Sequence, residues 1–218
     1  MNIFGYKIFK SKNYKKIPER SLDEIKNICK ILFIDDKSFP IIEMLEKNGW
    51  RNIQKVNDVT GTDQQEVREA HILFIDIQGV GKKMKLTDEG LGLTVAIKKK
   101  YPNKKVIVYS AEDQGQVKAF HEGFELADSQ LSKNANSYEF QFRLEKFAKE
   151  IFSLNECIER IRQELIKELG NSPKTDEIIE KIEAIYNEDN TTLQNISKVF
   201  NLQNAANVAQ IIQLFLSK

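Results

Sequence analysis

Cysteine is scarce: among 218 residues only Cys29 and Cys157 occur, with no CxxC pair, and there are just two histidines, His71 and His121. That scarcity excludes a disulfide framework and argues against a structural zinc site. Reduced, partly buried thiols are the expectation, as in the cytosol. Long apolar runs are also missing. Nothing approaches the roughly 20 residues that span a bilayer. The opening MNIFGYKIFKSK meets lysine too early to form the apolar region of a signal peptide. A cytoplasmic protein with no membrane segment is expected. Net charge is nearly absent as well, at +1 from 33 basic and 32 acidic side chains, so the overall field calls for no polyanionic partner. The charge is uneven, however: residues 1–30 hold eight Lys/Arg against Glu19, Asp23 and Glu24, which reads as a solvated basic leader.

What is present is a set of short apolar runs closing in polar residues. They are Ile31-Leu-Phe-Ile-Asp35, Ile72-Leu-Phe-Ile-Asp76 and Val106-Ile-Val-Tyr-Ser110. Rich in Ile, Val and aromatics and lacking helical periodicity, they fit strands buried on both faces of a parallel sheet. Weaker strands are expected near Ile53–Val56 and Asp128–Leu131. Between them, helical spacing marks 39–47 (with Pro40 in a favoured first-turn position), 91–100 and 114–121. Strand and helix alternate five times from residue 31 to about 152, so the expected class is α/β, a doubly wound sheet with helices on both faces. Ligands of such sheets bind at the carboxyl ends of the strands, where the closing polar residues sit.

Further along, Phe140, Leu144, Phe147, Ile151, Leu154, Ile158, Ile161 and Leu165 follow an unbroken 4-3-4-3-4-3-4 spacing up to Gly170. That heptad seam predicts one extended helix over 137–170 that dimerises through residues 140–165; two consecutive helices packed inside one monomer are the alternative. Residues 171–218 then read as a small all-α module of three helices, the first opening after Ser172-Pro173.

Three carboxylates, Asp35, Asp36 and Asp76, converging at one sheet end repel one another unless a cation joins them. Mg²⁺ is the natural one, a hard ion that takes oxygen ligands. A carboxylate can also attack phosphorus to give an aspartyl-phosphate, while a hydroxyl and an ammonium (Ser110 and Lys133) bind the remaining phosphoryl oxygens. The strings ILFIDD at 31–36, ILFID at 72–76, VIVYSA at 106–111 and ADSQLSK at 127–133 together resemble the receiver domain of bacterial response regulators, over roughly residues 30–152.

The resemblance implies a flavodoxin-like sheet of strand order 2-1-3-4-5, with a core at 31–136 followed by the all-α extension. It implies Asp76 as phospho-acceptor, Asp35 and Asp36 with Asp76 and the Gln78 backbone carbonyl around Mg²⁺, Ser110 as the switch hydroxyl, and Lys133 on the phosphoryl oxygens. It also implies a histidine kinase or phosphotransfer protein as donor and a non-enzymatic signalling role. The chain departs from the family's pattern in three places. The loop after the acceptor, from Ile77 to Thr87, is long, basic and glycine-rich; Asn134 replaces the usual proline; and Gln130 stands where receivers often carry a switching Tyr or Phe.

Gly79-Val-Gly-Lys82 lacks the spacing of a phosphate-binding P-loop. For output, residues 171–218 carry four lysines against six acids, and the last helix has no basic residue before Lys218. No nucleic-acid partner is expected of such a surface, and a downstream protein partner is. A phosphorylation-independent scaffold and a DNA-binding regulator using the basic leader are the rival expectations.

Overall fold

The computed structural model describes residues 16–111, 121–170 and 173–216. Two compact units emerge, one spanning Arg20–Phe152 and the other formed by 16–19 with 153–216.

The first unit is built on strands β1 (Lys30–Ile34), β2 (Asn52–Val56), β3 (Ile72–Asp76), β4 (Lys105–Ser110) and β5 (Ser129–Ser132). All pair in parallel, in the order β2-β1-β3-β4-β5. The apolar runs become the central strands because both faces are covered: β3 is buried throughout, and β1 and β4 at all but their first residue. The edge strands β2 and β5 alternate in exposure, which is why their sequence signal is weaker.

Around the sheet run α1 (Leu22–Ile28), α2 (Ile41–Lys47), α3 (Gln65–Glu69), α4 (Glu89–Lys100), α5 (Glu122–Leu126) and α6 (Ser137–Ile151). The period-2 alternation sorts the strand residues between two cores. Leu32, Ile34, Leu73, Ile75, Val106 and Val108 pack with Val67 of α3 and Leu91, Leu93 and Ile97 of α4. Phe33, Phe74 and Tyr109 face the other way. There Phe33 and Phe74 stack with centroids 4.4 Å apart, and Phe140 of α6 lies against Phe74 and Tyr109. Truncating a ring such as Phe74 to alanine would cost about 3–5 kcal/mol. The helix expected over 114–121 lies outside the described residues except for His121, the N-cap of α5.

The basic leader is shorter than its charge pattern implies. Ser21 and Glu24 form a reciprocal capping box that starts α1, and Ile25 and Cys29 are buried. Residues 20–30 therefore belong to the sheet unit.

The extended helix over 137–170 is also corrected. α6 stops at Ile151, and Ser153 caps a new helix, α7 (Leu154–Leu169), by accepting the Glu156 N–H. The eight-residue seam is thus divided. Phe140, Leu144, Phe147 and Ile151 are buried in the sheet unit. Ile158, Ile161 and Leu165 join a core with Ile178, Ile182 and Ile185 of α8 (Thr175–Glu188), Ile196 and Phe200 of α9 (Leu193–Phe200) and Ile212 of α10 (Ala206–Leu216), and Leu154 packs against it partly buried. The seam residues Phe140, Leu144, Phe147, Ile151, Ile158, Ile161 and Leu165 are thus buried within their own chain. The heptad rhythm is that of two amphipathic helices in register. No helix among the described residues is long and apolar enough to cross a membrane.

Candidate functional site

Parallel strands bring their carboxyl ends to one edge, and here that edge is acidic. Asp76 is the last residue of β3, and Asp35 and Asp36 directly follow β1. Carboxylate oxygens of all three lie within 4.8 Å of one another. Asp35 is fully buried, Asp76 nearly so, and Asp36 exposed. The period-2 pattern explains the convergence, since Asp35 falls on the face of Phe33 and Asp76 on that of Phe74.

One ammonium answers these charges. Lys133, just beyond β5, places Nζ 2.6 Å from Asp76 Oδ2 and 3.0 Å from Asp35 Oδ2. Its main chain is fixed by donating the Lys133 N–H to the Ser110 carbonyl at 2.7 Å. Ser110 closes β4 and is buried, one residue past Tyr109, the β4 residue paired with Asp76. Gln78 donates its N–H to Asp76 Oδ1 at 3.3 Å. Sequence reasoning assigned all six of these residues to one site, and the fold gathers them at one sheet end.

Burial pushes the Asp76 carboxyl above the ordinary aspartate range, against the opposing pull of Lys133 and the Gln78 N–H, while Asp35 adds repulsion. For Lys133 burial disfavours the charge, but its bonds to Asp76 and Asp35 outweigh that and raise its pKa. Among the described residues the site is under-neutralised, with three carboxylates against one ammonium. An all-oxygen donor set with surplus negative charge fits a hard divalent cation and not a thiolate- or imidazole-seeking one. The oxygens are unequally available. Asp35 Oδ1 accepts the Lys37 N–H at 2.9 Å, and its Oδ2 serves both Lys133 and the Tyr109 hydroxyl. Asp36 and Asp76 would be the main ligands of a cation, with Asp35 behind them.

Four contributors were not anticipated. Tyr109 donates its hydroxyl to Asp35 Oδ2 at 2.9 Å. Phe39 stacks on the Tyr109 ring, and the Lys133 ammonium lies over both rings, 5.8 Å from Phe39 and 5.3 Å from Tyr109. Asp58 holds the loop after the acceptor, accepting the N–H groups of Gly81 at 2.6 Å and Lys83 at 2.9 Å. Glu89, in a left-handed conformation at φ 47°, accepts the Gly79 N–H at 2.5 Å. Only the period-2 placement of Tyr109 on the acidic face could have signalled one of these; the others are contacts across 10 to 25 residues of loop or more.

Two glycines are needed where the backbone crowds the site. A Cβ on Gly90 would overlap the Asp76 carbonyl oxygen, and one on Gly79 (φ 83°) would overlap the Asp36 carboxylate. The long Ile77–Thr87 loop is thus a folded bracket. Val80 is buried beneath it, and Lys82, Lys83 and Lys85 are displayed outward.

No protein-family model matches the chain, and no curated protein matches it. Solved structures of response-regulator receiver domains do. The BeF3-activated DrrB receiver domain is 23% identical over 56% of this chain and 97% of its own, with a TM-score of 0.43. The receiver domain of NtrX from Brucella abortus is 22% identical over 55% and 98%, with a TM-score of 0.44. A response regulator from Burkholderia pseudomallei with a phosphorylated aspartic acid, calcium ion and citrate is 18% identical over 87% and 99%, with a TM-score of 0.41. Against NtrX from Brucella abortus in complex with ADP, the match spans about a third of that chain.

Proposed function

We propose that this chain is a response-regulator receiver protein that accepts a phosphoryl group on Asp76 from a histidine kinase or phosphotransfer partner, with Mg²⁺. The observation that carries the reading is the Lys133 ammonium bridging Asp76 and Asp35 beside a third, exposed carboxylate, at the carboxyl ends of a parallel sheet.

The chemistry is a displacement at phosphorus. An Asp76 carboxylate oxygen attacks, and its O–P bond forms as the donor imidazole's P–N bond breaks. The electron pair stays on the departing nitrogen, which gains a proton. Lys133 begins on Asp76 Oδ2 and is placed to follow the charge onto the phosphoryl oxygens, with the Ser110 hydroxyl as a second donor. Bound Mg²⁺, held by Asp36 and Asp76 with Asp35 behind, would neutralise charge on the transferred group. The protein acts as acceptor and signal carrier, not as a turnover enzyme.

Output passes to a protein partner through the α7–α10 unit. Supporting this, residues 171–218 carry a net −2 charge, and α10 has no basic residue to neutralise phosphates. The test is incubation with Mg²⁺ and an acyl phosphate, followed by intact mass. An acid-labile increment of one phosphoryl group, lost in Asp76→Ala, is expected; no increment, or one that survives the substitution, refutes the reading.

A further inference from the structure

Asp35 has a physical difficulty that the phosphoryl-transfer chemistry makes acute. Its carboxylate is fully buried, and among the described residues Lys133 is the cation paired with its Oδ2. If Lys133 follows charge onto a phosphoryl group on Asp76, it abandons a buried carboxylate, and a buried charge stripped of its partner is strongly unfavourable. The ammonium would therefore be held back on Asp35 unless another donor already served the same oxygen.

One does. Tyr109 donates to that very Oδ2 at 2.9 Å while Asp35 Oδ1 accepts the Lys37 N–H. The phenol cannot drift away, because its ring is clamped: Phe39 stacks on it with centroids 5.0 Å apart, and Phe33, Phe74 and Phe140 meet it edge-on at 6.2–6.4 Å. Gln130, in contrast, is exposed and turned to the Phe124 carbonyl.

We propose that Tyr109 is the positioning residue that releases Lys133. By satisfying Asp35 Oδ2 on its own, it lets the ammonium pass from Asp35 to the incoming phosphoryl oxygens. The inference rests on the acceptor reading of Asp76. In the step itself the Asp76 O–P bond forms, the donor's P–O bond breaks with its electron pair leaving on the acyl carboxylate, and Tyr109 neither gains nor loses a proton.

Removing the hydroxyl alone separates this role from packing. Tyr109→Phe retains the ring and its four aromatic neighbours, and Trp50, the only tryptophan, reports whether the sheet unit stays folded. Three measurements are made: the phosphorylation rate with an acyl phosphate at saturating Mg²⁺, the Mg²⁺ Kd by calorimetry with no phosphodonor, and the same rate in an Asp35→Asn background. Tyr138→Phe, 70% exposed, is the control.

The proposal expects the rate to fall about tenfold, the scale of one hydrogen bond to a charged group. Mg²⁺ affinity should be unchanged or tighter, because a less satisfied Asp35 makes the site more negative. In Asp35→Asn, where no buried charge is left behind, adding Tyr109→Phe should change the rate less than twofold. A rate within twofold of wild type overturns the proposal. So does Mg²⁺ affinity weakening in step with the rate, which is the mark of general damage, or a tenfold loss that persists in Asp35→Asn. A wild-type protein that takes no phosphoryl group removes the acceptor reading and this inference together, whereas an active wild type with an unimpaired Tyr109→Phe removes only the Tyr109 role.

Discussion

Replacing Asp76 by asparagine should stabilise the metal-free protein even though it destroys the proposed acceptor. In the native site one ammonium faces three carboxylates. At separations up to 4.8 Å and an effective dielectric of about 20, each carboxylate pair repels by about 3.5 kcal/mol. The Lys133 contact at 2.6 Å returns about 6 kcal/mol on the same scale. Attraction and the two repulsions on Asp76 nearly cancel, so burial decides, which is why the Asp76 carboxyl titrates above its ordinary range. Asparagine leaves one buried carboxylate, Asp35, to one ammonium. The net gain is about 1 kcal/mol, or about 4 °C in Tm for a unit of this size.

The pH dependence has a definite sign. The unfolded chain ionises at the ordinary aspartate value and the folded chain at a higher one. Stability is therefore lost as pH rises from the ordinary aspartate value through the higher folded value, and the cost is fully present above that folded value. The advantage of Asp76→Asn should be largest above the folded Asp76 value and fade as pH falls through it toward the ordinary aspartate value. Trp50 emission during thermal unfolding in EDTA follows this unit selectively, since Trp50 lies within 20–152 and is buried. Saturating Mg²⁺ should favour wild type in return, by about 1.4 kcal/mol at ten times its Kd. A lower Tm for Asp76→Asn at pH 7, or an advantage that grows on acidification, would refute the charge accounting.

Other perturbations reach the rest of the fold. Asp58→Ala removes the acceptor for the Gly81 and Lys83 N–H groups and should free the loop, giving rapid tryptic cleavage at Lys82, Lys83 or Lys85; wild-type resistance in the variant would contradict the bracket. Gly90→Ala forces a Cβ into the Asp76 carbonyl and should cost at least about 2 kcal/mol by the same Trp50 melt, with unchanged stability counting against the close approach. Ile161→Asp buries a charge at a fully buried position of the helical unit and should reduce far-UV helicity while leaving Trp50 emission intact. If it instead halves the mass seen by light scattering with helicity preserved, the residue faces a second chain.

How legible all this was depended on the range of the interaction. The central strands and Asp35, Asp36, Asp76 and Ser110 could be read directly, because burial on both faces writes continuous apolar runs and the strand ends inherit a common edge; Lys133, beyond the half-exposed edge strand β5, was legible through the receiver-like string at 127–133. The break at Phe152 was written as well, in Ser153 and Glu156, a local capping signal. It was overridden by a heptad rhythm that two consecutive amphipathic helices produce equally well. The Ser21–Glu24 box was similarly masked by the surrounding lysines. Period-2 alternation places Tyr109 on the acidic face, but its bond to Asp35, 74 positions away, also depends on strand register, which no local pattern encodes.

Borohydride trapping tests the central claim most directly. Hydride reduces an acyl phosphate to the alcohol, so protein treated with Mg²⁺ and an acyl phosphate, then borohydride, should yield homoserine in place of Asp76 when the Ile72–Lys82 region is sequenced by mass spectrometry. Intact Asp76 throughout, or homoserine at Asp35, Asp36 or any other position, would contradict the account.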